Sequence, residues 1–127
     1  MKEYKMRRGE TLEENAPDLK ATIEEYFGPV TGTDEWNGNE LYVVDEPDNP
    51  VFKRIVAGAA KYSGKKDQLA VHFEEHEAAA ILEKGLEDHA QGAVSAKNDF
   101  LLEVTGRDAK SRRDSMKRAV EDDAPDY

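Results

Sequence analysis

The sequence predicts an α+β domain, in which an antiparallel sheet carries its helices on one face. Three observations support this class. Residues 2–8 alternate around Tyr4 and Met6, as a half-buried strand does. The pair Asn37-Gly38 lies between two apolar runs, which is a strong signal for a β-hairpin. Apolar residues between 93 and 104 recur at helical spacing. The predicted order of elements is β-α-β-β-β-β-α.

In the first half of the chain, the predicted strand 2–8 ends at Gly9. A helix follows over 16–27, with Asn15 and Pro17 placed as its cap and first-turn proline. Gly28-Pro29 is a typical helix stop. The hairpin then uses residues 30–36 and 40–46, and the acidic, proline-rich segment 45–50 reads as a loop.

The second half contains one ambiguous stretch, residues 51–63. Its apolar residues fit helical spacing, but it also leads through a turn at Gly64 into a clearly alternating strand at 68–73. Helix and strand both remain open on the pattern alone. Residues 75–88 give a mixed signal, and an amphipathic helix is predicted over 93–104.

A final, basic helix is predicted over 109–121, with Asp108 as its cap and an acidic tail at 122–127. Lys110, Arg113 and Lys117 share one face of this helix. They could contact phosphate or RNA, but the interpretation that we favour pairs them with the acidic body of the protein itself. With 127 residues, the whole chain 1–127 is expected to form a single domain.

The charge distribution limits the possible environments. The net charge is −10, and residues 9–106 contain 21 Asp and Glu against 8 Lys and Arg. Mutual repulsion of this size is relieved by molar salt, where the screening length falls to about 3 Å. We therefore expect a halophilic source. The same surface argues against general binding of duplex DNA, because phosphate contacts weaken steeply with salt.

Residue types that are missing exclude further classes. The chain has no cysteine, so disulfides and thiolate-bound zinc are not available. The N-terminus lacks an apolar stretch, and no run approaches the ~20 apolar residues of a membrane span. The expectation is a cytoplasmic protein without a membrane segment, with no cofactor and no metal.

Three motifs resemble chemical sites, and each has a simpler explanation. His72 and His76 fit the H-x-x-E-H pattern of inverted zinc peptidases, but in an extended strand they lie ~13 Å apart, at ~3.3 Å per residue. Gly64-Lys65-Lys66 resembles a phosphate-binding loop, yet the glycine spacing is too long and the hydroxyl is missing. The acidic run 45–49 lacks the glycine and distal glutamate of a calcium loop. No catalytic residue is predicted.

Four segments together resemble a family of small archaeal proteins without an assigned function. They are YKMRRG (4–9), DLKATIEEYFG (18–28), GKKDQLAV (64–71) and NDFLLEVTGRDAKSRR (98–113). The chain would be an acidic, haloarchaeal member. The resemblance implies that the segments on either side of Gly64 are paired strands, so it favours strand for 51–63. It implies no functional residue.

The predicted order of elements resembles the fold of the TATA-binding protein and of helix-grip ligand binders. Fold alone does not determine function. The preferred hypothesis is a non-enzymatic domain that binds a protein partner or a second copy of itself through an apolar patch near Trp36 and Tyr42. The alternative is a small-molecule binder or enzyme with a pocket between sheet and long helix. RNA contact through the basic helix is a further, less expected alternative.

Overall fold

The computed structural model describes residues 1–108 and 110–111. It confirms the predicted α+β class, with five antiparallel strands in one sheet and helices on one of its faces. The strands are β1 (Lys2–Tyr4), β2 (Gly32–Trp36), β3 (Asn39–Val44), β4 (Phe52–Ala60) and β5 (Gln68–Glu75), and the helices are α1 (Leu12–Asn15), α2 (Leu19–Phe27), α3 (Ala78–Glu83) and α4 (Glu87–Thr105).

The order of strands across the sheet is β1-β5-β4-β3-β2. Strands β2 to β5 follow one another as neighbours, whereas β1 lies at the far edge and pairs with β5, so that Tyr4 faces Leu69. The β2–β3 hairpin turns at Asn37 and Gly38, whose φ angles are 50° and 78°. Two consecutive residues with positive φ form the turn that the Asn-Gly pair predicted.

The ambiguous stretch 51–63 is a strand, β4, as the resemblance implied. Its alternate residues face two apolar clusters, so both faces of the strand are buried. A strand buried on both sides has a nearly continuous apolar sequence, which explains why its periodicity resembled a helix.

The first helical segment differs from the prediction. Asn15 is not a helix cap and Pro17 is not in the first turn, because α2 begins at Leu19 with Asp18 as its cap. The Asp18 Oδ1 accepts a hydrogen bond from the Ala21 backbone N–H at 3.1 Å. Residues before it form the additional short helix α1, capped by the hydroxyl of Thr11. Helix α4 begins at 87 rather than 93, because Gly92 lies inside the helix without interrupting it.

The main core lies between the sheet and the helices α2 and α4. Phe27 is its centre, with ring centroids of Phe100 at 5.1 Å, Phe73 at 5.5 Å and Phe52 at 5.8 Å. Edge-to-face and tilted arrangements of this kind add to the hydrophobic contribution of each ring. At the margin of the core, the Tyr26 hydroxyl donates a hydrogen bond to Glu103. The pKa of Tyr26 is raised, mainly by burial and to a smaller extent by the negative charge of Glu103.

Candidate binding surface

The structure separates the two aromatic residues that the sequence placed in one patch. Trp36 faces Asn39 across the hairpin and Tyr42 faces Thr33, so the two side chains lie on opposite faces of the sheet. Both are half-buried. Trp36 packs on the face without helices, whereas Tyr42 packs against the main core.

The face without helices is apolar but is covered by the protein's own side chains. Leu41 and Ala70 are fully buried there, and Trp36 and Tyr62 pack over this second cluster. The Tyr62 hydroxyl donates to the Glu3 carboxylate. At its margin the Arg54 guanidinium forms ion pairs with two carboxylates, Asp34 Oδ2 at 3.9 Å and Asp45 Oδ1 at 3.4 Å.

The two histidines of the H-x-x-E-H motif lie in and directly after a strand, and not on one turn of a helix. His72 is exposed in β5, and His76 follows the end of that strand, where its backbone N–H donates to the Val51 carbonyl at 2.9 Å. Burial, and then the charges of Lys84 and Lys53, lower the pKa of His76. No group of three potential metal ligands occurs among residues 1–108 and 110–111.

The acidic run at 45–49 serves structural contacts. Asp45 accepts a hydrogen bond from the Thr31 hydroxyl at 2.8 Å and pairs with Arg54. Asn49 caps the following turn through its Oδ1, and its amide donates to the His89 carbonyl at 3.0 Å. These bonds join the loop to β2, β4 and α4.

A groove of about 580 Å³ lies beside the segment that joins α1 to α2. We call it the acidic groove, because its lining includes the carboxylates of Glu13, Asp18, Glu40 and Asp67, with Lys61 as the cation among the lining residues. Tyr42 lines its apolar part. None of the lining residues belongs to α4, so this groove is not the predicted pocket between the sheet and the long helix.

A second groove, of about 280 Å³, has the opposite charge. We call it the basic surface, and define it by five exposed cations. Asp67 is the one carboxylate in its lining. The cations come from the segment after β1 and from the β4–β5 loop, and they are Lys5, Arg7, Arg8, Lys65 and Lys66.

The antiparallel register of β1 and β5 brings these cations together. Because Tyr4 pairs with Leu69, the chain after Tyr4 runs toward the residues that precede Leu69. The Lys66 Nζ donates to the Glu10 carbonyl at 3.2 Å, which fixes one loop against the other. Arg7 also faces the Glu10 carboxylate, but at 3.8 Å and largely in solvent, so this pair contributes little.

The basic surface continues toward the end of α4. The Arg7 backbone N–H donates to the Thr105 carbonyl at 2.7 Å, and the Arg107 Nη2 donates to the Met6 carbonyl at 3.3 Å. Two basic segments that are separated by about a hundred residues in the sequence therefore meet in space. The Asp108 Oδ1 accepts a hydrogen bond from the Ser111 backbone N–H at 2.8 Å, the bond that a capping residue would accept.

Of the residues predicted to contact a partner, Lys110 is described and exposed. Arg113 and Lys117 lie outside the described residues, as does most of the predicted helix 109–121. Sequence reasoning missed all five cations of the basic surface as site residues: Lys5, Arg7, Arg8, Lys65 and Lys66. A signal for them existed in the positive charge of residues 1–8, but not in their proximity to Lys65 and Lys66.

Fold and surface together define a small α+β domain whose charges are divided between a basic surface and an acidic body. The chain belongs to the family described as Domain of unknown function (DUF5611), whose model matches residues 1–118. The matched range includes every residue of the basic surface and the cations up to Arg118. Searches of curated proteins and of solved structures gave no match.

Proposed function

We propose that this protein is a non-enzymatic binding domain that holds a single-stranded nucleic acid, RNA in the first place, on its basic surface. One observation carries the proposal: five exposed cations from two separate segments converge in a chain whose net charge is −10. The acidic composition alone would predict a negatively charged surface at this place. Within the described residues, Lys5, Arg8 and Lys65 form no ion pair with a carboxylate. The Lys65 Nζ lies 4.2 Å from the centroid of the Tyr62 ring, a contact that leaves its charge unneutralised.

The shape of the surface favours a chain of phosphates over one phosphate ion. The cations are all exposed, whereas a site for a single phosphate would bury its donors and direct them at one point. Both loops turn at a glycine with positive φ, Gly9 at 86° and Gly64 at 84°, with open space around each. Such glycines allow a ligand to approach the backbone closely.

The acidic body favours a short single strand over a duplex. A duplex presents one negative charge per ~1.7 Å of its axis, and those beyond the basic surface would face the carboxylates of the acidic groove. A single strand can contact the five cations and then leave the surface.

The described helices offer no segment long and apolar enough to cross a membrane.

A charge-reversal experiment tests this proposal. We expect Lys65→Glu/Lys66→Glu to weaken binding of a fluorescent oligoribonucleotide of about ten nucleotides by at least about tenfold. Removing two phosphate contacts should also reduce the slope of log K against log salt by about 1.4, at ~0.7 per contact. Fluorescence anisotropy at the lowest KCl concentration at which circular dichroism shows a folded protein provides the measurement.

Lys53→Glu/Lys84→Glu is the matched control, because both lysines are exposed and lie outside the basic surface. The two double variants change the net charge by the same amount. This control should leave the salt slope unchanged. Equal losses in the two double variants, or no binding by the unmodified protein, would refute the proposal. Displacement of the RNA by polyglutamate at equal charge concentration would show that the surface binds polyanions without preference for RNA, and would also refute the proposal.

The halophilic, archaeal and cytoplasmic character expected from the sequence also belongs to this proposal. The melting temperature should rise steeply between low and molar KCl, because salt screens the repulsion among the carboxylates. Calorimetry across that range, with sucrose at matched osmolality as the control, gives the measurement. A melting temperature that does not change with KCl would contradict a halophilic origin.

Binding of a protein partner or of a second copy of the chain remains a separate proposal. It would use a surface other than the basic one. The exposed large apolar side chains of the described helices are Leu82 on α3 and Val94 and Leu102 on α4, at 64%, 47% and 48%. They lie on the helices and not near Trp36 or Tyr42. An interface of this kind would leave the basic surface open.

A further inference from the structure

The acidic groove combines an apolar lining with an acidic rim. Leu12 and Ala16 are buried beneath it, and Leu19 and Tyr42 are half-buried along it. Glu13 and Glu40 are exposed at its margin. A surface with this combination suits a segment that carries apolar and cationic side chains at helical spacing.

Three carboxylates of the groove form no ion pair within the described part of the chain. No ion pair joins Glu13, Glu40 or Asp67 to a lysine or arginine of residues 1–108 and 110–111. Lys61 lines the same groove without reaching them. A cationic segment that entered the groove would therefore find unneutralised charges, and it would cover apolar area at the same time.

The protein's own C-terminal sequence has the required composition. Residues 112–120 read RRDSMKRAV, with four cations and one carboxylate. Met116, Ala119 and Val120 are spaced i, i+3, i+4, which places them on one face if the segment is helical. The segment complements both parts of the groove, the apolar lining and the acidic rim.

The described chain ends beside the basic surface, which shares a lining residue with the acidic groove. The Ser111 hydroxyl accepts from the Arg107 Nη1 at 3.1 Å, and Arg107 in turn contacts the Met6 carbonyl. Met6 lines the basic surface, which shares Asp67 with the acidic groove. Nine further residues extend for up to ~30 Å as a strand or ~13 Å as a helix. Of the two adjoining surfaces, the basic one repels the segment and the acidic one attracts it.

We propose that residues 112–120 dock in the acidic groove of their own chain, with Met116 and Val120 on its apolar lining and the arginines and Lys117 against Glu13, Glu40 and Asp67. The groove is then the docking site of a chain segment and not a small-molecule pocket. This inference does not depend on nucleic-acid binding at the basic surface, because it concerns a different groove and needs no ligand.

The lack of native cysteine allows a direct test by disulfide cross-linking. Ser115→Cys is combined with Lys61→Cys, which is exposed and lines the groove, and in a control chain with His72→Cys, which is exposed on the face without helices. In a glutathione redox buffer, the equilibrium between the reduced and the cross-linked chain gives the effective concentration of the two thiols. We expect the effective concentration of the groove pair of thiols to exceed that of the control pair at least tenfold. The cross-linked chains should run as monomers on a non-reducing gel.

A second set of variants keeps the test independent of the cysteine positions. Glu13→Lys/Glu40→Lys should reduce the effective concentration of the groove pair severalfold, and Met116→Lys should reduce it as well, while the control pair stays unchanged. Equal values for the two pairs, or no response to these substitutions, would overturn the proposal. Cross-links between chains in place of those within one chain would also overturn it, and would assign the groove to a second copy.

Discussion

Replacing Phe27 by alanine should lower the free energy of unfolding by about 3–5 kcal/mol, the typical cost of removing a buried aromatic ring. Phe27 is 1% exposed and contacts the rings of Phe52, Phe73 and Phe100. The cavity would lie where α2, α4 and the sheet meet, so no single element can move to fill it. A domain of this size typically has about 5–15 kcal/mol in total, so the variant should be close to unfolding.

Urea titration at fixed, high KCl, followed by circular dichroism, measures this loss. Leu82→Ala is the control, because Leu82 is 64% exposed and its truncation should change stability by less than about 0.5 kcal/mol. Phe27→Leu should fall between the two. A loss below about 1 kcal/mol for Phe27→Ala would mean that the aromatic cluster is not the centre of the core.

Replacing Gly58 by valine should destabilise the sheet by at least about 1–3 kcal/mol, the range found for overpacked cores. A Cβ at Gly58 would lie 2.7 Å from the Leu41 Cδ2 and 3.0 Å from its Cα. Leu41 is fully buried under Trp36 and Tyr62, so its side chain cannot turn aside without displacing them. Trp36 is the single tryptophan of the chain, so its fluorescence reports locally on this change.

Gly32→Val is the matched control, because Gly32 is a strand glycine on the same face, and a Cβ added there would have no atom within 4 Å. There the higher β-propensity of valine should leave stability unchanged or raise it by up to ~1 kcal/mol. Leu41→Ala should reduce the cost of Gly58→Ala in a double-mutant cycle, because it removes the contact with the Cδ2 but not the one with the Cα. Additive effects of Leu41→Ala and Gly58→Ala would show that the contact between these residues is not the cause.

Much of the fold follows from local sequence signals. The Asn37-Gly38 turn and the stop of α2 at Gly28 were predictable because each depends on residues that are neighbours in the chain. Tertiary burial explains the ambiguity of β4, but not the start of α4. The apolar sequence of β4 is ambiguous because both of its faces are covered, and Gly92 is tolerated inside α4, although glycine generally weakens a helix.

The candidate surface was less predictable than the fold, for a topological reason. The positive charge of residues 1–8 was visible, but its proximity to Lys65 and Lys66 depends on the pairing of Tyr4 with Leu69 across the sheet. No local pattern specifies which strand an N-terminal strand will join. The opposite placement of Trp36 and Tyr42 has a similar origin, because one step of register decides which face each side chain occupies.

The position of β1 at the far edge has a consequence for synthesis on the ribosome. Lys2 leaves the ribosome well before its partner Val71, which is translated after the β2–β3 hairpin and β4. The nascent chain can therefore assemble β2 to β5 by successive short-range pairing, whereas β1 must wait and then close a long loop. Until this late step, no strand pairing holds Lys5, Arg7 and Arg8 close to Lys65. The basic surface thus forms only when the sheet is complete, and a partly synthesised chain has no such surface to offer.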